Sequence, residues 1–332
     1  MALNLEMSEL IEKTGSSLYE IAEKVEYKQN LTAEEKEMFE ISDAWAKEVG
    51  RRGADPNKEI AAFITKTVQE ELYNTPDELL DSIFVRGNIG EFDDVEYQKQ
   101  ARNTLVAYEA AKGGTVDRSF LDFSAIGGKN RNLQVETDLS YADLRKNGFK
   151  SIATVATYAQ EALKNKMFFD VFKILDDAIV GGEQLITVGG AAPTQASVDQ
   201  MTAYLLDRDS NAMMIGLSKY TRPLFRMDGR KDYLSNEMKD NFNRYGILDV
   251  IDGVRIATIP TARKTGKGEM LLPDQRIWGV AGTVGNLDMK GEVHTYQSED
   301  NQNEKIILKV ADFTYSYAIT NPENVAKMVF TA

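Results

Sequence analysis

The sequence predicts an α+β fold in which one long helix frames the packing of two mixed regions. Three observations predict it. Apolar residues recur at helical spacing from about Lys150 to Val180, far beyond the usual three or four turns. A strictly alternating strand, Leu133 to Leu139, precedes that helix. Beyond it, helices and strands mix without regular βαβ alternation, which argues against a doubly wound sheet.

Taken in order, residues 3 to about 75 read as three helices. Leu10, Ile11, Leu18, Ile21 and Val25 carry the first. Thr32 followed by Glu35 is a capping box opening the second, which stops near Gly50 and Gly53. Asp55-Pro56 starts the third, through Ile60, Phe63, Ile64, Val68 and Leu72. The first two carry few apolar residues, so they need something to dock on. Ser82 to Gly90 reads as a short strand with a glycine turn. Asn103 to Phe123 fits either a helix or two strands joined at Lys112-Gly113-Gly114, and periodicity does not choose between them. The long helix carries a stripe of Ile152, Val155, Ala159, Leu163, Phe168, Phe172, Leu175 and Ile179, with a phase shift at the five-residue step to Phe168. Gly181-Gly182 stops it. Thirty residues at ~1.5 Å rise make a rod of about 45 Å. Gly189 to Pro193 reads as a joint between domains. Helices at Ser197–Leu206 and Tyr233–Tyr245 follow, with strands at Met213–Leu217, Val254–Ile259, Arg276–Val280, Lys305–Val310 and Phe313–Ile319.

Charge and composition narrow the function. The chain has 332 residues with 39 basic against 52 acidic, a formal net charge of −13. Such a surface repels phosphate backbones, which disfavours dedicated nucleic-acid binding yet suits a container that encloses nucleic acid without adhering to it. Cysteine is absent, which removes disulfides, thiolate nucleophiles and Cys-type zinc sites. No apolar run approaches the roughly 20 residues of a membrane span, and the first residues lack signal-peptide character.

Catalytic and ligand motifs fail on inspection, so no catalytic, cofactor-binding or metal residue is expected. His294 is the only histidine and lies in an alternating strand. Asp207 to Asn211 opens like a calcium loop, but Ala212 and Ser218 occupy the positions that need glycine and glutamate. Gly266-Lys267-Gly268 lacks both the following hydroxyl and the earlier glycine of a phosphate loop. Gly279, Gly282 and Gly285 do not match the dinucleotide spacing and read as turns. A pair of catalytic carboxylates is uninformative among so many acids.

The order of parts resembles the tailed-bacteriophage major capsid protein of the Hong Kong 97-type fold. The rod from Ser151 to Ile179 resembles that family's spine helix. Leu234 to Ile256 resembles its axial-domain helix, glycine break and strand. Leu271-Leu272-Pro273-Asp274 and Ala318 to Glu323 resemble its closing strands. The resemblance covers roughly residues 80 to 330 and carries no single diagnostic motif.

The resemblance implies an N-terminal helical arm or scaffold-like region at 1–75, either cut off during maturation or retained. It implies a peripheral domain at 76–188, with an extended β-hairpin loop at about 103–140 and a spine at about 150–180. An axial domain at 189–310 and a C-terminal return to the peripheral domain at 311–332 complete it, with Asn324 to Phe330 packing on the spine. The ambiguous segment then becomes the hairpin. The implied subunit contacts are Lys112, Gly113 and Gly114 at the loop tip and Arg263, Lys264 and Lys267 near the capsomer centre. Lys112 and Lys129 are available for the lysine–asparagine crosslink some members make, with a solvated lysine as the plainer alternative. The function implied is a self-assembling shell of hexamers and pentamers, found in the virion and assembled in the host bacterial cytoplasm. Its partners are copies of itself, with scaffold, portal and decoration proteins, and it encloses DNA without reading its sequence. An encapsulin-like compartment shares the fold, and a soluble acidic carboxylate-using enzyme is the rival from another class.

Overall fold

A computed structural model of the chain describes residues 21, 24–25, 28–52, 57–69, 72–73, 77–93, 95–98, 107, 109, 124–179, 181–226, 250–261, 268, 270, 272–300 and 302–331. Helix α1 (Ala33–Arg52) opens on the capping box read in the sequence. Thr32 N–H donates to the Glu35 carboxylate at 2.6 Å, and Glu35 N–H donates to the Thr32 hydroxyl at 3.3 Å. Helix α2 (Asn57–Gln69) follows. Of the expected first helix, only Ile21, Lys24 and Val25 are described, in helical conformation.

Helix α3 (Glu78–Ile83) is capped by Asp77, whose carboxylate accepts from the Leu79 and Leu80 N–H groups at 3.2 Å. It runs straight into strand β1 (Phe84–Ile89). The expected strand from Ser82 therefore starts two residues later, because a six-residue helix is too short to register as a period. Short strands β2 (Glu96–Gln98) and β3 (Ala125–Gly127) pair antiparallel. The expected strand at Leu133–Leu139 is the middle of β4 (Lys129–Ser140).

A helix absent from the sequence reading, α4 (Tyr141–Asn147), turns at Gly148 into the rod α5 (Phe149–Ala178), 30 residues long. The buried stripe of α5 runs Ile152, Ala156, Ala159, Leu163, Met167, Val171 and Leu175. Met167 keeps the helical phase that Phe168 breaks, so the expected shift is absent: Phe168 packs at the side of the stripe. The N-terminal helices find their docking partner here. Phe63 of α2 meets Phe149 edge-on at 5.3 Å between centroids, and Trp45 and Val49 of α1 are buried in the same core.

The remaining elements are β5 (Leu185–Gly189), α6 (Gln195–Leu206), β6 (Ala212–Leu217), α7 (Ser218–Thr221), β7 (Val250–Ile251) and β8 (Val254–Ile259). They continue with β9 (Arg276–Ala281), β10 (Gly285–Lys290), β11 (His294–Asp300), β12 (Lys305–Ile319) and β13 (Val325–Thr331). The expected Tyr233–Tyr245 helix lies outside the described residues.

Two larger sheets result. In the five-stranded sheet, β12 pairs with β4 along one side and with β11 and then β10 along the other, and β1 lies parallel beside β10. The six-stranded sheet runs β5-β13-β9-β6-β8-β7. The two strands expected at 305–310 and 313–319 are one strand of 15 residues. Its register on β4 shifts between Val310 and Phe313, where Asp312 takes φ 64°. That bulge slips the alternation by one residue and imitates a break in sequence. The edge of β11 is covered by α2, whose Thr65 hydroxyl accepts from Thr295 N–H at 3.0 Å, shielding it from strand addition.

Sheet membership divides the chain differently from the expected segments 189–310 and 311–332. Strands β10 and β11 of the first segment join the five-stranded sheet, while β6, β8 and β9 lie in the six-stranded one. In the second segment β13 is hydrogen-bonded between β5 and β9, although Lys327 still reaches the Asp176 carbonyl at the end of the rod at 3.0 Å. The cause is pairing at long range. Lys327 faces Leu185 across the sheet, a partner that local periodicity does not see.

Candidate functional site

The rod is fastened to each sheet by one carboxylate. Asp170 is buried and accepts from Lys166 at 2.9 Å, lies 3.4 Å from Arg131 of β4, and receives the Tyr315 hydroxyl of β12 at 3.4 Å. Six residues on, Asp176 pairs with Arg276 of β9 and with Lys327 of β13 at 3.2 Å. The Lys327 amine also reaches the Asp176 carbonyl, so a cation sits at the negative end of the helix dipole. The two sheets are thus held through one helix.

The second construction is the base of the β2–β3 ribbon. Gly87 of β1, Asp288 of β10, Ser316 of β12 and Asn130 of β4 are register partners in one row across the five-stranded sheet. Tyr97, the middle residue of β2, lies over this row and donates its hydroxyl to Asp288 Oδ2 at 2.6 Å. Tyr97 and Asp288 are each only 7% exposed, and Ser316 is fully buried. Two close approaches make the fit. A Cβ at Gly87 would stand 2.7 Å from Asp288 Oδ1, and one at Gly128 would stand 2.4 Å from Ser316 Oγ and 2.9 Å from the Tyr97 ring. Gly128 N–H donates to the Val95 carbonyl at 2.9 Å, and the Lys290 amine to the Asp93 carbonyl at 2.9 Å. The first bond closes the base of the ribbon, and the second ties it to the sheet. Beside it, Phe92 is 91% exposed at a turn, and exposed Tyr296 donates to Asp312 at 2.9 Å.

Burial first, then the hydrogen bond to Asp288, pushes the Tyr97 phenol up to about 12. Burial first, then the Glu292 carboxylate, does the same to Tyr73, and burial beside Asp170 raises Tyr315 further. A phenol raised in the folded state from an ordinary value near 10 contributes stability that is whole below about pH 10 and is lost as pH climbs toward 12. The expected result is an unfolding midpoint that holds to about pH 10 and then falls in step with phenolate absorbance. Phenolate appearing at these tyrosines with no loss of midpoint would contradict the burial argument.

The sequence-predicted contact residues Lys112, Gly113, Gly114, Arg263, Lys264 and Lys267 all lie outside the described residues, as does most of Asn103–Phe123. What is described is how the chain enters and leaves the first of these segments: Gln98 and Ala125, its flanks, face one another as register partners. Lys129 is exposed at the start of β4. Near the second loop, Ser218 and Thr261 hydroxyls stand 2.9 Å apart, and Asp274 binds Lys219 at 2.5 Å and the Tyr220 hydroxyl at 2.7 Å. His294 is exposed on β11, its ring 6.5 Å from that of Tyr296. Asp209 accepts from Asn211 N–H at 2.8 Å, the polar helix end read there. Gly279 and Gly285 lie within strands, where a Cβ would stand 2.7 Å from Leu205 and 2.0 Å from the Ala318 carbonyl oxygen; only Gly282 is a turn. Among the described residues no group of three or more His, Asp or Glu side chains is arranged to hold a metal, and no helix is long and apolar enough to cross a membrane. Sequence reading missed Tyr97 and Asp288, which stand 191 residues apart. No local signal marks them, because Asn286, Asp288 and Lys290 alternate with Leu287 and Met289 as on any strand with one solvent-facing side.

No protein family's sequence profile matches the chain, and no curated protein matches it. Solved structures match its fold. A Gordonia phage Cozz structure aligns with TM-score 0.55 at 9% identity, over 85% of this chain and 98% of that one. The capsid of an empty GTA particle aligns with TM-score 0.54 at 14% identity, over 76% and 89%. The capsid of cyanophage P-SCSP1u aligns with TM-score 0.51 at 11% identity, over 79% and 94%. The architecture is therefore the Hong Kong 97-type fold of tailed-phage capsid structures, reached at identities where only the fold is shared.

Proposed function

We propose that this chain is a structural shell subunit, the major capsid protein of a tailed-phage head, whose copies close into hexamers and pentamers around double-stranded DNA. The observation that carries the reading is the fold: a rod tying two sheets, with a ribbon leaving one of them, aligned over most of the length of phage capsid chains. A shell needs many moderate contacts per subunit, each burying about 800 Å² per partner, and closure of the lattice stabilises the whole. The net charge of −13 fits a wall that holds DNA without binding it. The role is mechanical, not catalytic, and the finished protein resides in the virion after assembly in the bacterial cytoplasm. As part of this reading the five-stranded sheet belongs to the peripheral domain and the six-stranded sheet to the axial one, so that β10 and β11 fall to the former and β13 to the latter. The loop-tip and capsomer-centre residues named from sequence serve as the contacts, with scaffold, portal and decoration proteins as further partners.

Electron microscopy of the purified protein, expressed alone and with a scaffold, tests this. Closed shells or rings are expected, and nuclease-protected DNA in shells from infected cells separates a phage head from a cargo compartment. A strictly monomeric product at every concentration overturns the reading.

A further inference from the structure

We propose that Tyr97 is a positioning residue whose bond to Asp288 fixes how the β2–β3 ribbon is seated on the five-stranded sheet. This rests on the shell reading for its purpose, but not for its test. Strands β2 and β3 have three residues each and pair only with one another among the described residues. Two such strands are too short to hold an angle alone. Besides the exposed Lys290–Asp93 bond, what ties them to the sheet is one buried side chain, Tyr97, lying on a row of register partners from three strands. The row is shaped to receive it. Gly87 and Gly128 both stand where a Cβ would collide with Asp288, Ser316 or the Tyr97 ring, so the tyrosine can reach the sheet and the ribbon can lie flat on it. The acceptor is a carboxylate and the contact is 2.6 Å, the geometry of a charge-assisted bond. Because Asp288 is held on both sides by β1 and β12, its position is rigid, and the ribbon inherits that rigidity.

Limited proteolysis of the unassembled subunit tests the proposal without reference to shells. Lys99, Arg102, Lys112 and Arg118 give trypsin four sites within the segment that the ribbon carries. In Tyr97→Phe, cleavage at these sites should rise about tenfold, the factor that loss of one charge-assisted hydrogen bond gives a local opening. The thermal midpoint and cleavage elsewhere should stay near those of the parent. Asp288→Asn, with Tyr97 kept, leaves an amide oxygen as acceptor for the phenol and should retain most of the protection. Unchanged cleavage in Tyr97→Phe overturns the proposal. So does cleavage that rises equally along the whole chain with a fallen midpoint, which would make Tyr97 an ordinary core contact. Microscopy of parent and variant is read separately. If the parent forms no shells, the shell reading fails while the proteolysis result stands; if both form identical shells, the tie has no part in assembly.

Discussion

Alanine at Gly148 is expected to destabilise the subunit by about 3 kcal/mol, the sum of backbone strain and a lost helix cap. Gly148 ends α4 with its N–H on the Leu144 carbonyl at 2.9 Å, and the next residue begins the rod. To end one helix and begin the next in one residue it adopts φ 56° and ψ −133°, a region that side-chain-bearing residues avoid. Space is lacking as well, since a Cβ there would stand 1.9 Å from Asp43 Oδ1. That carboxylate accepts from Phe149 N–H at 3.2 Å, so a side chain of α1 caps the rod from outside and places a negative charge at its positive end. The alanine must therefore displace Asp43 as well as strain the turn. Denaturant unfolding of G148A measures the sum, and Asp43→Ala alone should lose about 1 kcal/mol, the value of a cap. A Gly148→Ala variant within about 0.5 kcal/mol of the parent, the range of an ordinary surface change, would show that the turn relaxes into another conformation.

The parts legible in sequence were those set by neighbours in the chain. Thr32 and Glu35 announced α1 because a capping box is a contact three residues long. The alternation through β4 and the stripe of α5 were visible because one face of β4 is half-buried throughout and one face of α5 is buried. The stripe was misplaced at Phe168 because size suggested burial, whereas phase put Met167 inward. Elements failed to register where a local device interrupts a period. The bulge at Asp312 split β12 in two, and α4 was hidden by its seven residues between a strand and a longer helix. The pairing of β13 with β5, and the contact of Tyr97 with Asp288, join residues more than a hundred positions apart. No spacing rule encodes these. The contact residues proposed on resemblance, from Lys112 to Lys267, fall outside the described residues, so the site that emerges is the frame that carries them.

In that frame the last third of the rod has the largest leverage, and Phe172→Ala is expected to cost about 4 kcal/mol. Phe172 is fully buried between Phe168, centroids 4.9 Å apart, and Trp278 of β9, edge-on at 5.2 Å. Deleting its ring leaves a cavity between a helix and a strand that are each fixed elsewhere, so collapse is limited and the cavity cost is kept. The aromatic contact adds roughly 1 kcal/mol beyond area. One turn later, Asp176 holds Arg276 of the same strand and Lys327 of β13. Its partners are partly exposed, so Asp176→Ala should cost less, about 2 kcal/mol after solvent screening. The two sites share β9, so their effects should not add, and a double variant should fall short of the sum by at least about 0.5 kcal/mol. Denaturant unfolding of the two single variants and the double variant decides this. Strict additivity would mean that the ring and the ion pair hold the six-stranded sheet independently. A shortfall means that they clamp one joint, so that loosening either lets the six-stranded sheet swing on the rod.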